Sequence, residues 1–480
     1  MEKITDSIMV GRQEEIKTLN ELLLNKQAEL VAVTGRRRIG KTYLVNTIFR
    51  EQIVFDMIGS QNAATETQLQ NFSEQLKFYK KTKTQIAPPN NWSEAFMMLR
   101  NYLQTLPKKN KPVIFIDELP WLAGQKSGFL GAFSYFWNAW ASQQKLVVVI
   151  CGSAASWMLQ KVVNDKGGLH NRITKHIHLE PFTLTETKQF LASKKVYYNH
   201  YQIIQLFLAI GGIPHYLKEI DGKLSAIQNI NKLCFTKNGL LYDEFDRLYA
   251  SLFAHADLHI DIVNRLATKK QGMTRNELAE KTRVKNGGGL TNVLNELVLS
   301  GFITEIFPYG KQKKDKILRL TDEYSLFYLQ FMKKNRRTGK GIWQQLSQTP
   351  SYTSWAGYAF ESLCIKHVEK IKQALGISGI YTTTSSFYQK GVRSQKGVQI
   401  DMLIDRNDQT INLLEIKFHN KPFAITKKYA NDLQEKLWRF QEITKQKKQV
   451  NWVLISSFGL IKNEYSLDII NNDFNMDILF

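Results

Sequence analysis

The chain has 480 residues, 43% of them hydrophobic and 22% charged. That is enough for about three domain cores and too apolar for a disordered chain. Lys and Arg number 65 against 43 Asp and Glu, and the resulting net charge of +22 makes a polyanion the first expected partner. The three cysteines, Cys151, Cys234 and Cys364, show neither metal-ligand nor pairing spacing. "MEKITDSIMVGRQEE" has no apolar signal core and no run of 18 apolar residues occurs, so a reduced cytoplasmic setting without a membrane span is expected.

The first informative segment is "ELVAVTGRRRIGKTYLVNTIF", a strand, a Gly-bounded loop and a helix start. Gly35, Gly40, Lys41 and Thr42 fit G-x-x-x-x-G-K-[ST]; Arg38 and Ile39 lie inside the loop and Tyr43 follows it. Glycines let backbone N–H groups turn toward phosphates, and the helix N-terminus adds its dipole. Lys41 is expected to neutralise the phosphates of ATP and Thr42 to hold Mg²⁺. "KPVIFIDELPWL" supplies the acidic strand end such a loop needs: Asp117 for the metal, Glu118 to polarise the attacking water. Ser153 follows the next apolar run, "KLVVVICG", where a polar residue could sense the γ-phosphate. Arg172, in "GLHNRITKHIHLEPF", is a candidate arginine finger or sensor, and "HIH" itself reads as structural or exposed.

Taken together, "MVGRQEEI" (9–16), "GRRRIGKT", "VIFIDELPWL", "VVVICGSAASWM", "GLHNRITKHIHLEPF" and "IGGIPHYL" (210–217) resemble the archaeal-type ATPase family, in the STAND branch of the AAA+ P-loop ATPases. The resemblance covers about residues 5–235. It implies that Gly11 and Arg12 lie near the adenine, and that Pro214 belongs to a helical lid over the nucleotide. It further implies a switch-like role, in genome defence or mobile-element control, in a closed monomer or a homo-oligomer.

Residues 257–320 read as a winged helix-turn-helix. "DLHIDIVNRLAT" has helical apolar spacing, Thr274 with Glu277 is a capping box, and "NGGGLTNVLNELVLSGFI" opens an amphipathic helix. "ITEIFPYGKQKKDKILRLTD" reads as two wing strands with Lys311, Lys313, Lys314 and Lys316 at the tip. The second helix has no Arg or Lys, which leaves Asn292 and Asn295 as base readers. The wing is therefore expected either to contact DNA or to serve as an intramolecular lid or partner platform. His255 and His259, one helical turn apart, read as ordinary helix side chains rather than metal ligands. "FMKKNRRTGKG" (331–341) reads as a basic linker, with Trp343 and Trp355 beyond it as core.

The carboxyl-terminal segment pairs a helix carrying Glu361 with "VQIDMLIDRNDQTINLLEIKF", two strands around a hairpin turn. Asp401 lies on the first strand; Glu415 and Lys417, two apart, share one face of the second. Asp401 and Glu415 are hard oxygen donors for Mg²⁺, Lys417 could orient or deprotonate water, and Glu361 could reach the same metal. Over about residues 352–460 this resembles the PD-(D/E)xK nuclease superfamily, which implies a Mg²⁺-dependent nuclease, with Mn²⁺ as a second metal.

The expected fold class is multidomain α/β. A P-loop ATPase core spans 1–182, a helical lid 183–250, a winged helix 251–330, a basic linker 331–351 and a restriction-endonuclease-like α/β domain 352–480. The expected function is an ATPase controlling a nuclease that acts on DNA, with RNA as the other substrate and an activating ligand or protein as trigger. The rival expectation is an ATP-driven switch or DNA-binding regulator whose nuclease fold is inert.

Overall fold

The computed structural model describes residues 9–107, 110–124, 126–153, 155–164, 167–253, 255–284, 286–335, 341–391 and 397–480. The chain divides into two compact units, Met1–Glu180 and Pro181–Phe480.

In the first unit five parallel strands form one sheet: β1 (Glu29–Thr34), β2 (Ile53–Ile58), β3 (Val113–Asp117), β4 (Val147–Gly152) and β5 (Lys175–His178), in the order β2-β3-β4-β1-β5. Every residue of β1, β3 and β4 is buried, as the near-continuous apolar runs of a doubly covered parallel sheet require. Phe72, Trp92, Phe96 and Phe129 from the covering helices form the core against Leu30, Ile114 and Ile150. The carboxyl ends of β1, β3 and β4 carry the phosphate-loop motif, Asp117 and Ser153, where open α/β sheets place ligands.

The second unit begins with helices at Leu184–Ser193, His200–Ile210, Ala226–Cys234 and Glu244–Leu252. Thr183 with Glu186 and Ser225 with Gln228 close capping boxes at two of them. Three helices follow, Ala256–Ala267, Arg275–Lys281 and Gly288–Leu299, with an antiparallel sheet of β6 (Met273–Thr274), β7 (Ile303–Ile306) and β8 (Ile317–Leu320). This is the element order expected of a winged helix. Thr274 caps its helix with Glu277 as anticipated. His259 is 2% exposed, stacked on Phe253 with centroids 3.8 Å apart and bonded to Glu296 at 2.7 Å, so it is a core histidine.

The carboxyl-terminal sheet contains β9 (Thr382–Gln389), β10 (Val398–Arg406), β11 (Thr410–Lys417), β13 (Gln449–Ser456) and β15 (Ile470–Asn475), while β12 (Phe423–Ala424) pairs with β14 (Leu460–Ile461) in a short ribbon. Strands β9, β10 and β11 pair antiparallel; β13 and β15 add in parallel beyond β11. Leu403, Leu413, Leu433, Phe440 and Trp452 form the core beneath helix Lys427–Thr444.

One expectation changes. The segment from 331 does not begin as a linker: helical structure runs from Glu323 to Asn335, with Phe331 and Met332 2% exposed. Its lysines occupy the solvent side of a turn whose other side is core. Residues 336–340 of that basic run lie outside the described residues. The wing also docks within the unit: Tyr309 N–H donates to Ser386 O of β9 at 2.8 Å, and its ring meets Phe440 at 5.5 Å. Lys316 pairs with Glu305 at 2.5 Å, and the Lys313 side chain lies outside the described atoms. Trp343 and Trp355 are core, 1% and 5% exposed.

Close backbone approach makes Gly212 demanding. A Cβ there would lie 2.0 Å from Phe182 O, whose own N–H bonds to Gly212 O at 2.7 Å. Gly212→Ala is expected to destabilise the second unit by about 1–3 kcal/mol, the usual cost of overpacking. A urea-melt midpoint unchanged from wild type would show that this approach is not needed.

Candidate functional sites

The phosphate loop combines glycine-dependent curvature with buried charge. Gly35 has φ +136, and a Cβ there would lie 2.4 Å from Leu179 O and 2.5 Å from Ile39 Cδ1. Arg38 and Gly40 are also left-handed, with φ 72 and 94. Their turn aims the chain into helix Lys41–Ile48. Lys41 is 6% exposed, and its ammonium donates to Gly35 O at 2.9 Å and Arg36 O at 3.0 Å. Burial lowers its pKa, opposed by the charge of Glu118.

Thr42 Oγ1 donates to Asp117 Oδ2 at 2.5 Å, joining the loop to the end of β3. Glu118, left-handed at φ 47, turns toward β4, where Ser153 Oγ and N–H donate to its Oε2 at 2.9 and 3.2 Å. Arg12, which follows Gly11, reaches the same loop: its Nη2 donates to Glu180 O at 2.5 Å and lies 3.5 Å from Ile39 O. Tyr43 is 52% exposed on the helix's first turn, and Arg172 is exposed on the turn before β5. Pro214 belongs to the second unit, at the first position of helix Pro214–Leu217.

The two histidines of "HIH", expected to be structural or exposed, neighbour the loop. His176 Nε2 and His178 Nδ1 lie 2.8 and 3.0 Å from Thr34 Oγ1, the residue before Gly35. Burial lowers both imidazole pKa values. Their period-two spacing on a strand was the available signal.

Strand β3's acids, the glycine-curved loop and the buried lysine define a Walker-type nucleotide-binding ATPase domain. Residues 9–220 match the family described as the ATPase domain predominantly from Archaea. The match passes Glu180 into the first helices of the second unit. An uncharacterized protein of Methanocaldococcus jannaschii, MJECL04, is 24% identical over 440 residues, covering 89% of this chain and 92% of that relative.

Among solved structures, the Walker-type ATPase paby2304 of Pyrococcus abyssi is similar at 19% identity and a TM-score of 0.48, over 67% of this chain and 96% of that one. The ORC2 protein of Aeropyrum pernix is similar at 14% identity and a TM-score of 0.42, over 72% and 98%. Among the described residues no helix is long and apolar enough to cross a membrane.

The second unit brings Asp401, Glu415 and Lys417 together on β10 and β11, with Glu361 from helix Pro350–Lys366 close enough for its charge to act on theirs. Glu415 is 2% exposed. Lys417 Nζ lies 2.7 Å from its Oε1 and Lys436 Nζ 3.0 Å from its Oε2, while Tyr429 O–H donates to Oε1. Burial would raise the Glu415 carboxyl, but Lys417 and Lys436 outweigh it and hold the group well below the ordinary range. Burial and the charge of Glu415 push Asp401 up to about 6, although Ile416 N–H donates to Asp401 Oδ2 at 3.3 Å. Lys417 is raised: burial opposes this, but Glu415 and Asp401 prevail.

Tyr429 and Lys436 were not anticipated. They lie seven residues apart on helix Lys427–Thr444, two turns on one face, so helical spacing was the legible signal.

Among the described residues no three His, Cys, Asp or Glu side chains converge as a metal nest. Glu361 Oε2 lies 3.5 Å from Arg319 Nη2 on β8, an arginine 6% exposed. Burial and the charge of Asp401 push Glu361 up to about 8 against the pull of Arg319.

The folded state therefore holds the Glu361 proton more tightly than the unfolded chain, whose ordinary value is 4.5. Stability from this group is full below that value and declines as pH rises toward about 8. In metal-free buffer, Glu361→Gln should flatten the fall in urea-melt midpoint between those limits. An unchanged slope would show that Glu361 is not held protonated.

Proposed function

We infer that the chain is an ATP hydrolase whose first unit controls a divalent-metal-dependent nuclease in the second. For the ATPase, the carrying observation is the Thr42–Asp117 bond beside buried Lys41. It sets a hydroxyl and a carboxylate oxygen side by side, a donor pair suited to Mg²⁺. Bound Mg²⁺ supplies charge neutralisation to the phosphates of ATP. Lys41 exchanges its carbonyl contacts for phosphate oxygens, Ser153 holds Glu118, and Glu118 orients water. Gly11, Arg12, Arg38, Ile39 and Tyr43 flank the nucleotide; Arg172 and Pro214 are proposed to act when the loop is filled.

For the nuclease reading, the carrying observation is the juxtaposition of Asp401, Glu415 and Lys417 on adjacent strands. The two carboxylates offer hard oxygens that would hold Mg²⁺ or Mn²⁺, which supplies Lewis acidity to a phosphodiester. Lys417 orients water and offsets the phosphate charge. Glu361, raised toward neutrality, can carry a proton. The polyanion that a charge of +22 favours is DNA, with RNA as the alternative.

One observation favours a second reading, an ATP-driven switch with an inert nuclease fold. Both Glu415 oxygens are already engaged by Lys417, Lys436 and Tyr429.

Glu118→Gln should keep ATP binding and lose about 10²–10⁴ in turnover, the range for a general base. Retained turnover would remove Glu118 from the chemistry. Purified protein should cut plasmid or single-stranded DNA with Mg²⁺ or Mn²⁺ in an ATP-responsive manner. Lys417→Ala should abolish the cutting while ATP turnover persists. Absence of cutting by wild type with ATP still hydrolysed selects the switch.

A further inference from the structure

We propose that a groove in the second unit guides a single strand of nucleic acid to the Glu361–Lys417 cluster, with Lys333, Lys334 and Lys270 holding its phosphates. This rests on the nuclease reading above and names the form of substrate that site takes.

Two cavities, of about 680 and 320 Å³, adjoin each other. Lys270, Ser354 and Tyr358 line both, so the two are continuous. Lys333 and Lys334 stand in the larger one, Lys270 at the junction, and Arg319 and Lys417 in the smaller one beside Glu361. Among the described lining residues Glu361 is the only carboxylate, so the path is cationic throughout and acidic only at its end.

Among the described residues Lys270, Lys333 and Lys334 form no ion pair. Lys270 donates to Ser354 Oγ at 2.9 Å and Lys333 to Asn264 Oδ1 at 3.1 Å, both neutral partners. Lys269, next in sequence, does pair with Glu277 at 2.5 Å. A phosphate can thus replace a neutral acceptor without breaking a salt bridge. Trp355, 5% exposed, lines the larger cavity, and its indole N–H has no hydrogen-bond partner among the described residues. Leu326, Leu329 and Trp355 supply apolar surface for sugar and base.

The volume selects the strand. Cavities of this size hold ligands of about 300–1,000 Å³, a short run of nucleotides. A duplex, whose major groove alone is about 12 Å wide, is too thick to enter. Phosphate tracking along a cationic groove is how single strands are held without sequence preference.

The test uses the full chain in EDTA and a fluorescein-labelled oligothymidylate of about 15 nucleotides, a length typical of single-strand sites. Anisotropy is followed between about 50 and 200 mM salt. The single strand should bind at least about tenfold tighter than a duplex of equal length. The combined variant Lys270→Ala, Lys333→Ala, Lys334→Ala should weaken it by at least about tenfold and reduce the log–log salt slope by about 2, from roughly 0.7 per phosphate contact. The same three positions changed to Arg should retain binding. Circular dichroism and the melting midpoint check that each variant folds.

Wild type that does not bind the strand, alanine variants that bind it within about twofold, or a duplex bound equally well would each overturn the groove. So would polyglutamate competing as well as oligothymidylate at equal charge, which would mark an acidic protein partner instead. Failure of the nuclease reading is distinguishable: the strand binds and the lysine variants lose it, yet wild type with Mg²⁺ or Mn²⁺ leaves it intact.

Discussion

A carboxylate that is 2% exposed stays ionised only if cations are held against it, and the second unit is arranged around that requirement at Glu415. Lys417 comes from the same strand, two residues on, while Lys436 and Tyr429 come from a helix laid across the sheet. Helix and strand must therefore keep one register. Neighbouring carboxyls take the opposite solution: burial, with the charge of Glu415 on Asp401 and of Asp401 on Glu361, makes both hold their protons more tightly. Adjacent carboxyl groups are thus pushed in different directions by burial and by the charges beside them.

The first unit faces the same constraint with the sign reversed. Lys41 is a buried ammonium, and two loop carbonyls stand in for the water it has lost. Those carbonyls exist at that spot because Gly35, Arg38 and Gly40 adopt left-handed backbone. Gly35 is further restricted by the carbonyl of Leu179, so loop curvature, strand spacing and ammonium solvation depend on one another.

The segment read as a winged helix makes contacts within its own unit. Its β7–β8 loop touches the edge of the carboxyl-terminal sheet where Tyr309 N–H donates to Ser386 O, and its buried Arg319 faces Glu361. An element whose sequence left DNA contact and an intramolecular role both open lines the cavity beside Glu361 and Lys417 with Lys270, Gln271 and Arg319.

Much was legible in the chain. The strand–loop–helix around Gly35–Thr42, Asp117 at a strand end, the capping box at Thr274 and the shared face of Glu415 and Lys417 all follow from local spacing, which secondary structure preserves. The linker was misread because lysine density hides the apolar side of a buried helical turn at Phe331 and Met332.

By itself, then, the sequence determined the phosphate loop, the strand and helix periods and the order of candidate acids, since each depends on neighbours a few residues away. Only tertiary structure decided that Arg319 meets Glu361 across 42 positions, that Tyr429 and Lys436 hold Glu415, and that lysines 63 positions apart line one groove. Those contacts depend on how helices and sheets pack, and packing selects partners by shape and charge rather than by distance along the chain.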